Sequence, residues 1–274
     1  MTHFGMPALI EFADLDAQVA ACRQLGLDFI ELNLDCPQYL PDRLAPDHLR
    51  AVTAQTGVRF TVHLPEGLDL GSFQAPVRDG YQRYFRMVID WCAQAGISLI
   101  NLHLHPGVYF TLPAGKVWLY QQYQQESRNN LLAAFRPLCQ FAREQQIILS
   151  VENGGLYHLS HVTSALEDLL ALGEGILRLT WDVGHDAAAG YADRPFLLAH
   201  RDSLCHMHLH DAKGTRNHLP LGEGDAPIGE MLALAATLGI SVVLETKTFA
   251  GLQLSVERLN SDEKYGKHGG HGID

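Results

Sequence analysis

The chain has 274 residues, 47% hydrophobic and 19% charged, the balance of a folded globular protein, which excludes a disordered or fibrous chain. Twenty Lys and Arg against 31 Asp and Glu leave a formal charge of −11, which disfavours a nucleic-acid partner, because phosphate-backbone binding draws on Lys and Arg. Five scattered cysteines without a CxxC pair exclude a zinc ribbon or disulfide framework and point to a reducing, cytoplasmic setting. No segment approaches the roughly 20 apolar residues of a membrane helix, so no membrane partner is expected.

Short apolar, β-branched runs alternate with longer amphipathic ones along the chain. Strands are expected at Ala8–Phe12, Phe29–Leu34, Arg59–Leu64 and Leu99–Leu104, then at Ile147–Glu152, Leu177–Asp182, Leu204–His210 and Ser241–Glu245. Helical periodicity fills the intervals: Asp14–Leu25, Pro46–Thr56, Val77–Ala95, Glu126–Gln145, Val162–Leu172, Arg194–Arg201, Ile228–Leu238 and Leu252–Leu259. Gly26, Gly57, Gly96, Gly175 and Gly239 stand where those helices want a C-cap. The alternation, with no break in composition, predicts one (β/α)8 barrel domain over residues 1–260, followed by a polar tail over 261–274. An open doubly wound sheet would alternate too. No glycine-rich phosphate turn follows the first strand, however, and the polar residues gather at many strand ends rather than at one switch point.

Those strand ends carry the chemistry. Strand three ends in Val62-His63, and strand four runs through His103 to His105. Strand five ends in Glu152-Asn153, strand six in Asp182 with His185 beyond it, strand seven in His206-Met-His208-Leu-His210, and strand eight in Glu245. Side chains alternate along a strand, so His103 and His105 share a face, as do His206, His208 and His210. Singly, a histidine or acid at a strand end is usually a cap or a satisfied polar group. Gathered at one barrel mouth, several buried ionisable groups need paired charges or a metal ion to offset their desolvation. Oxygen and imidazole donors suit Mn2+, Co2+, Mg2+ or Zn2+.

The pieces His105-Pro-Gly, Glu152-Asn, Trp181-Asp-Val-Gly-His185, Met207-His-Leu-His-Asp211, Leu244-Glu-Thr246 and Leu221-Gly-Glu-Gly224 follow in an order that resembles the xylose-isomerase-like TIM-barrel superfamily. That superfamily joins sugar isomerases and epimerases with the endonuclease IV group. The resemblance runs from about Phe60 to Thr248 and is weak before that. It implies that Glu152, Asp182, His208 and Glu245 hold a divalent metal ion. It also implies that Glu152 and Glu245 remove and return a proton beside a substrate carbonyl, through an enediolate. His185 and a basic residue after strand seven, Lys213 or Arg216, would then contact substrate oxygens. By the same resemblance the partner is a small carbohydrate, and a homodimer is in keeping with the family.

The endonuclease branch offers a second reading. His63 and His105 match histidines that hold further metal ions there, with Glu152 bridging, and His185 and His218 match ligands of a third ion. In the isomerase branch the same strand-three and strand-four histidines line the pocket, so a second metal site and a pocket wall both stay open for His63 and His105. Aligning Leu221-Gly-Glu-Gly224 puts Arg216 where the endonuclease branch has an aspartate ligand. A guanidinium repels a cation and suits a substrate phosphate or carboxylate instead. Tyr109, Phe110, Trp118, Tyr120 and Tyr123 are expected either to wall the pocket or to pack a long loop on the rim, and Phe73 either to shield a sugar face or to pack in the core. Cys205 and His206 are expected to be buried structure, and Trp181 to face the helices.

Overall fold

The computed structural model describes residues 2–261, so the expected tail lies outside the described residues beyond Ser261. Eight parallel strands close a barrel: β1 (Phe4–Pro7), β2 (Phe29–Asn33), β3 (Arg59–His63), β4 (Leu99–His103), β5 (Ile148–Glu152), β6 (Leu177–Asp182), β7 (Leu204–Leu209) and β8 (Ser241–Leu244). Each strand pairs with its neighbours in chain order, and β8 closes on β1 through Phe4 opposite Val242. The helices predicted between strands are present, with ends displaced by a few residues; the longest are the helix Ala75–Ala95 after β3 and the helix Gln124–Glu144 after β4. Gly57, Gly96 and Gly239 adopt the left-handed conformation at helix C-caps, where a side chain would be strained.

Strand alternation divides the residues into two sets. Ile30, Leu32, Val62, Ile100, Leu102, Leu149, Val151, Leu179, Trp181, Met207 and Leu209 are buried between the barrel and its helices. Trp181 lies among them, as its place beside Asp182 implied. Full burial of each such side chain contributes roughly 1.5–3 kcal/mol. The other set fills the interior, and beyond Phe29, Leu99 and Val243 it is largely polar, where barrels of this type usually carry branched apolar layers. Ser150 Oγ lies 2.6 Å from Thr180 Oγ1, and that hydroxyl donates to Asn101 Oδ1 at 2.7 Å. A β-bulge between Leu179 and Thr180 opposes Leu204 and His206, so that Cys205 is the extra residue, and its thiol reaches Ser150 Oγ at 3.2 Å.

The first strand differs from expectation. It is Phe4–Pro7, and the apolar run Ala8–Phe12 is a loop at the barrel mouth. Gly5 sits opposite Phe29, and a Cβ there would collide with the Phe29 ring, so only glycine allows this register. Glycine and proline, at Gly5 and Pro7, are both disfavoured in strands, so this segment carries no strand pattern. The Ala8–Phe12 run is drawn out of the sheet by buried Gln18, which accepts from the Leu9 N–H and donates to the Leu9 carbonyl. Two hairpins stand outside the barrel, Tyr109–Leu112 with Gly115–Trp118 after β4 and Asp211–Lys213 with Arg216–Leu219 after β7.

Candidate metal centre

The ends of β5, β6, β7 and β8 bring Glu152, Asp182, His208 and Glu245 to one spot, with one donor atom from each within 4.8 Å of the others. Register does most of this: Asp182 and His208 are Cα partners across β6 and β7, and the Glu245 N–H donates to the Leu209 carbonyl, continuing β8 along β7. His208 Nδ1 lies 3.1 Å from Glu152 Oε1 and 3.1 Å from Glu245 Oε2. Glu152, Asp182 and His208 are buried, and Glu245 nearly so.

Charge decides what this cluster can hold. Burial would push the Glu152 carboxyl up, but the His208 and His103 imidazoles hold it well below the usual carboxylate range. Glu245 is held low against burial by His208 and then by Lys247, whose Nζ lies 2.7 Å from Oε1. Burial disfavours a charged His208, yet Glu152, Glu31 and Glu245 around it raise its pKa well above the ordinary value. Within the cluster, His208 Nδ1 and Glu245 Oε2 are buried without a well-aligned hydrogen bond. Three carboxylates and one imidazole, with orphaned donor atoms turned inward, fit a hard or borderline divalent cation.

Neighbouring residues fix these side chains. Asp182 accepts from the His185 N–H at 2.6 Å, which caps the short helix Val183–Ala188, and His210 Nε2 lies 3.1 Å from its Oδ1. His210 Nδ1 accepts from the His218 N–H at 2.8 Å, so both ring nitrogens of His210 are engaged. Gly184 is required between Asp182 and His185, because a Cβ there would collide with the His210 ring. His218 has a φ of 54°, unusual for a histidine, and burial pushes its pKa down to about 4, so it is neutral beside Glu245. Asp211 accepts from the Gly222 N–H at 2.8 Å and the Ala226 N–H at 3.0 Å, so the Leu221–Gly224 segment is anchored under the rim.

On the β3–β4 side, His63 Nδ1 donates to the Leu64 carbonyl at 2.7 Å and Nε2 faces Glu152 Oε2 at 3.4 Å. Burial opposes a charge on His63, but its bond to Glu152 raises the pKa to about 9. His103 Nε2 is 3.6 Å from Glu66 Oε2 and 3.9 Å from Glu152 Oε1, and His63, Glu66 and His103 make a second cluster of ligand type. His105 is turned elsewhere: its Nδ1 accepts from the Gly107 N–H at 3.1 Å and lies 3.6 Å from Asp69 Oδ2. His185 and His218 stand 3.3 Å apart at the mouth, half-buried. Lys213 and Arg216 face each other across the second hairpin, both exposed.

A cavity of about 310 Å³ opens over the cluster, lined by Glu31, His63, His103, Glu152, Glu245 and Lys247 among others. A second, of about 480 Å³, adjoins it on the His105 and Tyr157 side. Phe73 packs edge-on against Tyr120 and Tyr123 on the rim and lines neither cavity, and the Tyr120 hydroxyl donates to Asp69 at 2.5 Å. Glu31, Asn101, Glu66 and Lys247 were not singled out from sequence as site residues, and His103, noted at the end of strand four, was given no role. Glu31 left a readable signal, an acid between Ile30 and Leu32 on a strand whose apolar residues must face the helices. Asn101 left a fainter one two residues before His103; its amide donates to Glu152.

The structure is similar to that of a D-tagatose 3-epimerase-like protein, with a TM-score of 0.75 and 21% identity over 94% of this chain and 96% of that one. A 3-keto-D-glucoside 4-epimerase from E. coli superposes with a TM-score of 0.73 and 14% identity over 95% of this chain and 98% of that chain. A Thermus thermophilus protein soaked with zinc chloride has a TM-score of 0.70 and 24% identity, covering 94% of this chain and 98% of its own. Likeness at these identities establishes the fold. No curated protein sequence gives a significant match. The model of the xylose isomerase-like TIM barrels matches residues 19–264, nearly the whole barrel, and the chain belongs to that family.

Proposed function

We propose that the protein is a divalent-metal-dependent isomerase or epimerase of a small sugar or related polyhydroxy carbonyl compound, working by proton transfer. The observation that carries this reading is the placement of Glu152 and Glu245, whose strands lie on either side of β6 and β7, each 3.1 Å from the same His208 nitrogen. A cation bound by Glu152, Asp182, His208 and Glu245 would supply the charge that stabilises an enediolate as a carbon-bound proton leaves.

The chain's own groups do the rest. Both glutamates are held in their ionised form, so one accepts the carbon-bound proton, and the other takes a proton from a substrate hydroxyl or solvent at the mouth and delivers it to carbon, the first then losing its proton to solvent. Two carboxylates reaching one carbon from two directions permit inversion, and return to the adjacent carbon gives isomerisation. His185 and the neutral His218 bond substrate oxygens at the mouth, and Lys213 or Arg216 adds a charged contact from the hairpin. The cavity of about 310 Å³ is at the small-ligand end of the usual range. The epimerases named among the structures of like fold support the same reaction class.

Incubation with a panel of ketoses in D2O, with Mn2+ or Co2+ supplied, tests the proposal. The protein should place deuterium on the carbon beside the carbonyl, and Glu152→Gln and Glu245→Gln should each slow exchange about 10²- to 10⁴-fold with the fold intact. Unchanged exchange in both variants would overturn the mechanism. The cluster of His63, Glu66 and His103 supports a second reading, a multi-metal phosphodiesterase of the endonuclease IV type. That reading requires two or more ions per chain on elemental analysis, where the isomerase requires about one.

A further inference from the structure

Beneath the candidate metal centre lies a buried acid to which the proposed reaction gives no role. Glu31, on β2, is 4% exposed and points into the barrel interior. Its Oε1 lies 2.7 Å from His208 Nε2, on the far side of that ring from Glu152, Asp182 and Glu245. Its Oε2 accepts from the Thr61 hydroxyl at 3.0 Å and lies 3.2 Å from His206 Nε2. His206 is held in turn, its Nδ1 lying 2.6 Å from Ser241 Oγ. We infer that Glu31 is the positioning residue of the metal centre: it takes the His208 Nε2–H, so that Nδ1 presents its lone pair to the space between the three carboxylates.

The inference rests on the proposed metal centre and adds to it a group that never touches the ion. An imidazole can offer a lone pair from one nitrogen only when the hydrogen sits on the other, and the partner of that hydrogen fixes ring rotation as well as tautomer. His208 has a choice of carboxylates on both sides. With Glu31 replaced by a neutral group, its Nδ1–H would be drawn to Glu152 or Glu245, and the nitrogen meant for the ion would be occupied. Thr61, opposite Glu31 across β2 and β3, holds Oε2 through its hydroxyl, which leaves Oε1 facing His208 Nε2.

Glu31, His206 and His208 also lie close enough together to be metal ligands themselves. Two features argue against that use. The Glu31 side has one carboxylate where the other has three, and His208 cannot serve both sides without losing both ring hydrogens. A cation is therefore drawn to the Nδ1 side.

The test is a Co2+ titration of the intact protein, followed by visible absorption and chelator competition, with stoichiometry from elemental analysis. Glu31→Gln should weaken Co2+ binding about 10- to 100-fold at unchanged stoichiometry and unchanged melting temperature of the metal-free protein. Thr61→Val, which leaves the acid in place, should weaken it by a smaller factor and serves if Glu31→Gln does not fold. In the Zn2+-loaded wild type, ¹⁵N shifts of His208 should show hydrogen on Nε2 and metal on Nδ1. Affinity within twofold of wild type in both variants, the opposite tautomer, or loss of one whole ion in Glu31→Gln would each overturn the inference. Wild-type protein that binds no Co2+ through Glu152 and Asp182 would remove the metal centre and this inference together, whereas wild-type binding with an indifferent Glu31→Gln removes this inference alone.

Discussion

The two halves of the barrel mouth are built on different plans. Strands β5 to β8 end in Glu152, Asp182, His208 and Glu245, three acids and one imidazole converging within 4.8 Å. Strands β2 to β4 present Glu31, His63, Asn101 and His103, and these reach the first set mainly through Glu152 and His208. One half concentrates negative charge; the other surrounds it with groups that fix and partly neutralise it. An acid cluster this well buried is unstable without a counter-charge, so the histidines of the second half and a bound cation compete for the same carboxylates.

The largest expected difference between the halves is in metal content. Asp182→Asn removes a fully buried donor, and substitutions outside the ligand sphere already weaken metal binding about 10- to 100-fold, so this loss should exceed that range. His63→Ala should leave the ion in place and lower turnover instead. Elemental analysis of both variants checks the contrast. Loss of an ion from His63→Ala with retention in Asp182→Asn would invert the assignment of the two halves.

Next in size is a packing test within the first half. Gly184→Ala would drive a methyl group into the His210 ring, which holds Asp182, and overpacking of that kind costs roughly 1–3 kcal/mol. Thermal unfolding should show the loss, and metal affinity should fall with it. A variant as stable as wild type would mean that His210 has room to move and does not fix Asp182.

A finer test separates two histidines on the other half. His103 faces Glu152 and Glu66, whereas His105 is held by Gly107 and Asp69. His103→Ala should lower kcat/KM about fivefold or more, the equivalent of one net hydrogen bond of about 1 kcal/mol, and His105→Ala by less than that. Equal effects would mean that His105, which lines the adjoining cavity, serves the reaction as much as His103 does.

His103 and His105 also show where sequence reasoning stops. Strand alternation puts them on one face, and that inference holds only while the strand lasts; β4 ends at His103, and the loop turns His105 away. The eight-fold alternation, the outward face of Trp181 and the gathering of acids and histidines at strand ends were legible from period-two geometry, whereas the set Glu152, Asp182, His208 and Glu245 was implied only by the family resemblance of the motifs that carry it. Glu31 was overlooked because it lies in the middle of its strand, away from the C-terminal end where the other acids and histidines gather. The first strand was misplaced because the residue that permits it, Gly5, is chosen for the absence of a side chain against Phe29. Such close approaches belong to the packed structure and leave little trace in periodicity.

The smallest expected effect lies in the network that ties the two strand ends of the first half together. Asn153 accepts from the Asp182 N–H at 2.7 Å and donates to Asp193, which also accepts from the Gly155 and Tyr157 N–H groups. Asp186 Oδ1 in turn accepts from the Asp193 and Arg194 N–H groups, both at 3.1 Å. Burial, and then the Asp193 charge, push the Asp186 carboxyl up to about 6. In the unfolded chain an aspartate titrates near about 3.9, so between those values the folded protein binds more protons, and stability declines as pH rises through that window. Asparagine keeps the Oδ1 acceptor and does not titrate. Asp186→Asn should therefore match wild type below about pH 4 and melt above it beyond about pH 6, by about 2–4 °C for each kcal/mol gained. A variant less stable than wild type at neutral pH would mean that Asp186 is ionised and favourably paired, and that the loop network carries a charge it needs.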